Sequence, residues 1–117
     1  MVRPAVQRIL SCLQNPTRLR ILLTLRNELQ PVGFNELSRR IYDVADVGLV
    51  SGKIAYHIGE LMRAGLVEKV VDGDRPVGYV LTPLGRETLF LLEKFESLVV
   101  RMSAKIKKAE KTENFVV

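Results

Sequence analysis

One cysteine, one histidine and no tryptophan stand among 117 residues. With Cys12 alone, no intrachain disulfide can form. With one thiol and one imidazole, no soft-metal site can be assembled within a subunit. The same scarcity leaves a serine or cysteine triad without material, and Gly48, Gly52, Gly59 and Gly65 fit neither a P-loop nor a dinucleotide pattern. No enzyme, cofactor or metal is therefore expected. Apolar runs fall far short of the roughly 20 residues that span a bilayer. The start, MVRPAVQRILSC, lacks the apolar stretch of a signal peptide. A cytoplasmic protein with no membrane partner is expected. Acidic residues are also in deficit, 13 against 18 Lys and Arg, which leaves a net charge of +5. That balance suits a polyanionic partner without demanding one.

At 47% hydrophobic, the chain has ample material for one core, and its length favours one domain, residues 1–117. Val6, Ile9, Leu10 and Leu13 recur with helical spacing behind Pro4, so a first helix is expected over about 4–14. Asn15 and Pro16 form an N-cap and N1 pair that opens a second helix. In it Leu19, Leu22, Leu23 and Leu25 face inward, and Pro31 and Gly33 end it. Asn35 is expected to cap a short third helix, NELSRRI, with Leu37 and Ile41 inward. The connection YDVADVGLV, residues 42–50, is longer than a tight turn needs.

The stretch VSGKIAYHIGELMRAGLVEKVV then reads as a helix, a glycine stop and a strand. Ser51 is a good N-cap, and Ile54, Ile58, Leu61 and Ala64 form one apolar stripe. Gly65 and Leu66 fit the left-handed residue and the hydrophobic follower of a Schellman end. Asp72 to Pro76 form a turn cluster, and Val77 to Leu81 return as a second strand. Thr82 and Pro83 start a last helix, expected to run to about 110, roughly 40 Å at 1.5 Å per residue. Leu84, Thr88, Leu91, Phe95, Leu98 and Met102 alternate by fours and threes along it, and Leu92, Val99 and Ile106 widen the seam. A small domain cannot cover so long a stripe alone. The tail, 112–117, is expected to fray.

Three helices, a fourth with a polar basic face, a β-hairpin and a long helix make a mostly α chain with a small β-hairpin wing. This is the α+β order of a winged helix-turn-helix. Its core would be residues 15–82, with 1–14 and 83–111 as terminal helices.

The segments NPTRLRILLTL, NELSRRI and IAYHIGELMRAGLVEKV resemble ArsR-type winged helix regulators, over about Asn15 to Leu89. The resemblance implies a homodimer that binds operator DNA and regulates transcription, so association with the nucleoid is expected. It also implies an interface built by the terminal helices: Val6, Ile9, Leu10, Leu13, Leu91, Leu92, Phe95, Leu98, Val99, Met102 and Ile106. The chain departs from the pattern in its longer 42–50 connection. It also lacks the ligands of metal-sensing members, with no cysteine on the third helix and no histidine on the last.

On the fourth helix, Lys53 can take guanine O6/N7 or a phosphate, and Tyr56 a thymine methyl or a phosphate. Ser51 and Gly52 would allow close backbone approach. The alternative is a capped surface helix with no ligand. Arg75 at the wing can enter a narrow minor groove, or close an Asp–Arg turn with Asp72 and Asp74. Arg39, Arg40 and Arg63 are phosphate contacts or ordinary solvated charges. Arg18 and Arg20 are expected in ion pairs. Lys105, Lys107, Lys108 and Lys111 could embrace DNA or merely solubilise a helix end; they suit the dipole of a helix C-terminus, so solvation is the default reading. Cys12 reads as a small buried hydrophobe, with a redox thiol as the minor alternative. His57, beside Ile58, reads as a structural, partly buried imidazole; its unperturbed pKa allows a pH switch, which nothing in the sequence argues for. The partner expected is double-stranded DNA together with a second copy of the chain. A module that docks another protein on the last helix is the rival, and a small-molecule effector stays open.

Overall fold

The computed structural model describes residues 2–42 and 51–116, with side chains at 2–42 and 53–107. The expected cap at Ser51, the 43–50 part of the long connection and the side chains of Lys108 and Lys111 lie outside those residues. The chain divides into two compact units, Met1–Glu87 and Thr88–Val117. Its elements are α1 (Pro4–Gln14), α2 (Pro16–Arg26), α3 (Phe34–Tyr42), α4 (Ser51–Arg63), β1 (Val67–Asp72), β2 (Arg75–Leu81) and α5 (Pro83–Val116). The fold is mostly helical with a two-stranded antiparallel wing and a long last helix, as expected from the order of caps and stripes.

In the first unit α2 is central, packing on α1, α3, α4 and β2. Its start is the expected one: Asn15 Oδ1 accepts from the Arg18 N–H at 3.1 Å, and Pro16 occupies the first turn. Its inward face differs from the expected one. Ile21, Leu22 and Leu25 are buried, whereas Leu19 and Leu23 are only half-buried. With neighbours on several sides, α2 buries a wide arc and not one stripe. Leu37 and Ile41 of α3, Ile54, Ile58 and Leu61 of α4, and Leu66, Val67 and Leu81 complete the core.

The start of α3 corrects the Asn35 cap. The Leu37 N–H donates to the Gly33 carbonyl at 2.9 Å, so Gly33 is the capping residue and the helix begins at Phe34. The cause lies one residue earlier. Val32 forms a bridge to Tyr79 of β2, with N–H to O distances of 3.0 and 2.9 Å, so the chain enters α3 directly from a sheet contact. The approach is close enough that a Cβ on Gly78 would stand 2.7 Å from the Val32 backbone.

The wing turns more tightly than expected. Only Gly73 and Asp74 form the loop, with Gly73 at φ +64°, the positive value that two-residue hairpin turns require at their first position. Arg75 and Pro76 belong to β2, and a bulge between Val70 and Val71 leaves Val77 without an opposite residue.

The end of α4 is a Schellman motif, with the Gly65 N–H on the Met62 carbonyl and the Leu66 N–H on the Leu61 carbonyl, both at 3.0 Å. Gly65 has φ +80°. Thr82 locks this end to the next helix. Its Oγ1 donates to the Gly65 carbonyl and accepts from the Gly85 N–H at 2.9 Å, while its N–H donates to the Leu66 carbonyl at 3.1 Å. A Cβ on Gly85 would fall 2.3 Å from the Leu66 oxygen.

In the second unit α5 continues to Val116, past the stop expected near 110 and through the tail expected to fray. No glycine or proline follows Gly85, so nothing in the sequence breaks the helix. At 34 residues it is about 50 Å long. Leu91, Phe95, Leu98, Val99, Met102 and Ile106 are exposed and Leu92 is half-buried; on α1 Val6 and Leu10 are exposed, and Ile9 and Leu13 half-buried. Among the described residues, no helix is long and apolar enough to cross a membrane.

The junction at Thr82 generates a prediction. Gly85→Ala should destabilise the fold by about 3 kcal/mol, since the clash is with backbone that cannot rotate away. Thr82→Val, which loses the cap, should cost about 1–2 kcal/mol. Urea unfolding followed by circular dichroism measures both. A wild-type midpoint in Gly85→Ala would contradict the packing described.

Candidate nucleic-acid interface

Burial of Ile54, Ile58 and Leu61 fixes which side of α4 faces outward. That side carries Lys53, exposed, and Tyr56, 60% exposed. Gly59 adds no bulk, and a Cβ there would meet nothing within 4 Å. The Schellman end fixes the C-terminus, and Arg8 of α1 donates to the last carbonyl, that of Arg63, at 3.4 Å. The result is a short rigid helix with one amine and one aromatic hydroxyl presented to solvent.

The expected arginine contacts are less free than their sequence positions suggest. Arg63 donates to Glu60 Oε1 at 2.7 Å, across one turn of α4. Arg39 and Arg40 both reach Glu36, at 2.5 and 2.9 Å, and Arg40 also pairs with Glu28. Hydrogen bonds from Arg40 and then Arg39 hold the Glu36 carboxyl below its usual range. All four carboxylate contacts are exposed, and solvent screens pairs of this kind so that each holds its partners only weakly. A phosphate could therefore replace either partner, although each carboxylate also subtracts from the local positive field.

Arg75 flanks the two-residue tip of the wing as the first residue of β2, opposite Asp72 in the strand register. Cross-strand placement of opposite charges favours the Asp–Arg alternative, though no ion pair joins them among the described residues. Lys53, Tyr56 and Arg75 are thus exposed as the minimum set, while Arg39, Arg40 and Arg63 are shared with carboxylates. Backbone helicity begins at Ser51, and Gly52 follows in the first turn.

The expectation that Arg18 joins an ion pair is corrected. Arg18 is only 9% exposed, and its Nε donates to His57 Nδ1 at 3.0 Å, a neutral acceptor. Its guanidinium carbon also lies 5.5 Å from the centroid of the Tyr56 ring. The expectation of a partly buried, structural His57 agrees with this geometry. Burial first, then Arg18 and Lys53, lower its pKa from the ordinary 6.5. Sequence reasoning missed this cluster because Arg18 looks like a polar-face residue of α2. The signal available was His57 on the inward-leaning side of α4.

Cys12 is buried, with its Sγ 3.8 Å from the Glu60 carbonyl. Burial pushes its thiol pKa up against the opposing pull of Arg18, so it is not poised as a thiolate. No group of three or more His, Cys, Asp or Glu able to hold a metal occurs among the described residues. A shallow cleft of about 250 Å³ lies between the start of α3 and the wing, walled by Gly33, Phe34, Lys69 and Tyr79. It carries no cluster of converging polar side chains.

No curated protein and no solved structure matches this chain. Residues 6–91, from the first turn of α1 into α5, match the family described as a domain of unknown function, DUF7347, and the chain belongs to that family.

Proposed function

We propose that the chain is a homodimeric, sequence-specific DNA-binding transcriptional regulator of the ArsR-like kind, acting in the cytoplasm on the nucleoid. The observation that carries the reading is the outward face of α4. It presents Lys53 and Tyr56 on a helix held rigid from behind, directly before a wing. A helix of this size fits the major groove, with its N-terminal residues nearest the base edges. The β1–β2 wing then lies near the adjacent minor groove, with Arg75 beside its tip. Phosphate contacts from Arg39, Arg40 and Arg63 require exchange of their carboxylate partners.

The exposed apolar residues of α1 and α5 support self-association. Leu91, Phe95, Leu98, Met102 and Ile106 recur on α5 with near-heptad spacing, too many large apolar groups to leave in water without a partner. Pairing two copies gives two reading helices, which is what a near-palindromic site requires. The neutralised arginines favour a second reading, a winged helix that docks a different protein through α5 and binds no specific DNA.

Two measurements separate these readings. Light scattering after size exclusion should give twice the 13.2 kDa chain mass; a clean monomer favours the docking module. The double variant Lys53→Ala, Tyr56→Ala should remain dimeric and lose about tenfold or more in duplex affinity. Unchanged affinity would remove the assigned interface.

A further inference from the structure

The chain has a single histidine, and it stands behind the proposed reading face. Arg18 Nε donates to His57 Nδ1 at 3.0 Å. Nδ1 accepts only while it carries no proton, so the imidazole is neutral with its hydrogen on Nε2. The same guanidinium lies under the Tyr56 ring at 5.5 Å, and the Tyr56 and His57 rings are 5.5 Å apart. One side chain of α2 thereby holds two successive residues of α4, and one of them is the exposed aromatic of the reading face. Arg18 is fixed in turn. Its backbone N–H is bonded to Asn15 Oδ1, and Cys12 of α1 lies against its side chain.

We infer that Arg18 is a positioning residue for the reading face, acting through His57 and Tyr56, and that a proton on His57 Nδ1 releases α4 from this hold. The functional consequence rests on the DNA-binding proposal; the hold itself rests on the Arg18–His57 geometry. Protonation turns the acceptor into a donor that faces a donor, and it sets two cations side by side. The charged groups acting on the imidazole are Arg18 from α2 and Lys53 from α4, both positive. The other elements packed against α4 are α1 and β1; α1 sets Arg8 on the Arg63 carbonyl at the C-terminal end of α4, and neither Arg8 nor a charge of β1 is among the groups acting on the imidazole. Within α4, Glu60 is engaged by Arg63.

The direction with pH follows. The folded imidazole titrates below its ordinary 6.5, so the unfolded chain takes up the proton first. The hold is present above that value and is given up as pH falls below it. A basic DNA-binding surface ordinarily gains affinity on acidification, because new positive charge meets phosphate. The hold acts with the opposite sign.

The test uses the full-length protein as wild type, His57→Asn and Arg18→Met. Asparagine sets an oxygen at the δ position, which accepts from Arg18 and does not titrate. Long-range ¹H–¹⁵N spectra of the single imidazole should show the Nε2–H tautomer. Its midpoint should lie below the ordinary value and rise toward it in Arg18→Met, which removes both the charge and the donor. Backbone amides of residues 53–58 should move with that midpoint in wild type and stay still in His57→Asn. Anisotropy with the tightest duplex recovered from a random pool should show a several-fold loss of wild-type affinity from about pH 7.5 to about pH 5. His57→Asn should show none. An Nδ1–H tautomer, or α4 amides that ignore the titration, would overturn the hold whether or not DNA binds. Moving amides with identical affinity profiles in wild type and His57→Asn would overturn its role at the reading face. Recovery of no duplex would overturn the DNA-binding proposal, and the spectra would still decide the hold.

Discussion

The junction where α4 ends governs the first unit. Gly65 reverses the chain at positive φ, Leu66 drops into the core, and Thr82 bonds to the carbonyls of both. Gly85 allows the first turn of α5 to sit on the Leu66 oxygen. The end of α4, the base of the wing and the first turn of α5 are therefore tied together by Gly65, Leu66, Thr82 and Gly85. A side chain at Gly85, or a residue that resists left-handed backbone at Gly65, would disturb this junction. The outward face of α4 is set by this end and by the burial of Ile54, Ile58 and Leu61.

Charge is distributed less simply than the net value of +5 suggests. The arginines of α3 and α4 sit one turn from carboxylates and are partly neutralised. The most buried arginine, Arg18, is bonded to a neutral imidazole, not to an acid. The free positive charge of the proposed face thus narrows to Lys53 and Arg75. On the DNA-binding proposal, such a surface would rely on shape and on two copies acting together, more than on a strong field.

Local signals carried most of the fold into view. Asn15 before Pro16, Gly65 before Leu66 and Thr82 before Pro83 each mark a helix boundary through chemistry confined to a few residues, and the structure shows each bond that this chemistry implies. What stayed hidden depends on partners far along the chain. Val32 reads as part of a Pro–Gly stop, yet it pairs with Tyr79, 47 positions later, and that pairing moves the start of α3 from Asn35 to Phe34. Arg18 reads as half of an ion pair, because nothing nearby in sequence predicts its bond to His57. Arg75 falls within the Asp72–Pro76 turn cluster by composition, whereas strand pairing makes it the first residue of β2. For the candidate site, Lys53 and Tyr56 were legible from one amphipathic pattern, while the side chains that hold them from behind were not.

The most direct test of the account is selection of bound duplexes from a random pool by the wild-type protein. Two α4 helices related by a two-fold axis predict recovery of a near-palindrome, its half-sites about one helical turn, roughly 34 Å, or a small multiple of it apart. Binding to that site should weaken steeply with salt. A pool that emerges with no enriched sequence, from a protein that is folded and dimeric, would contradict the account.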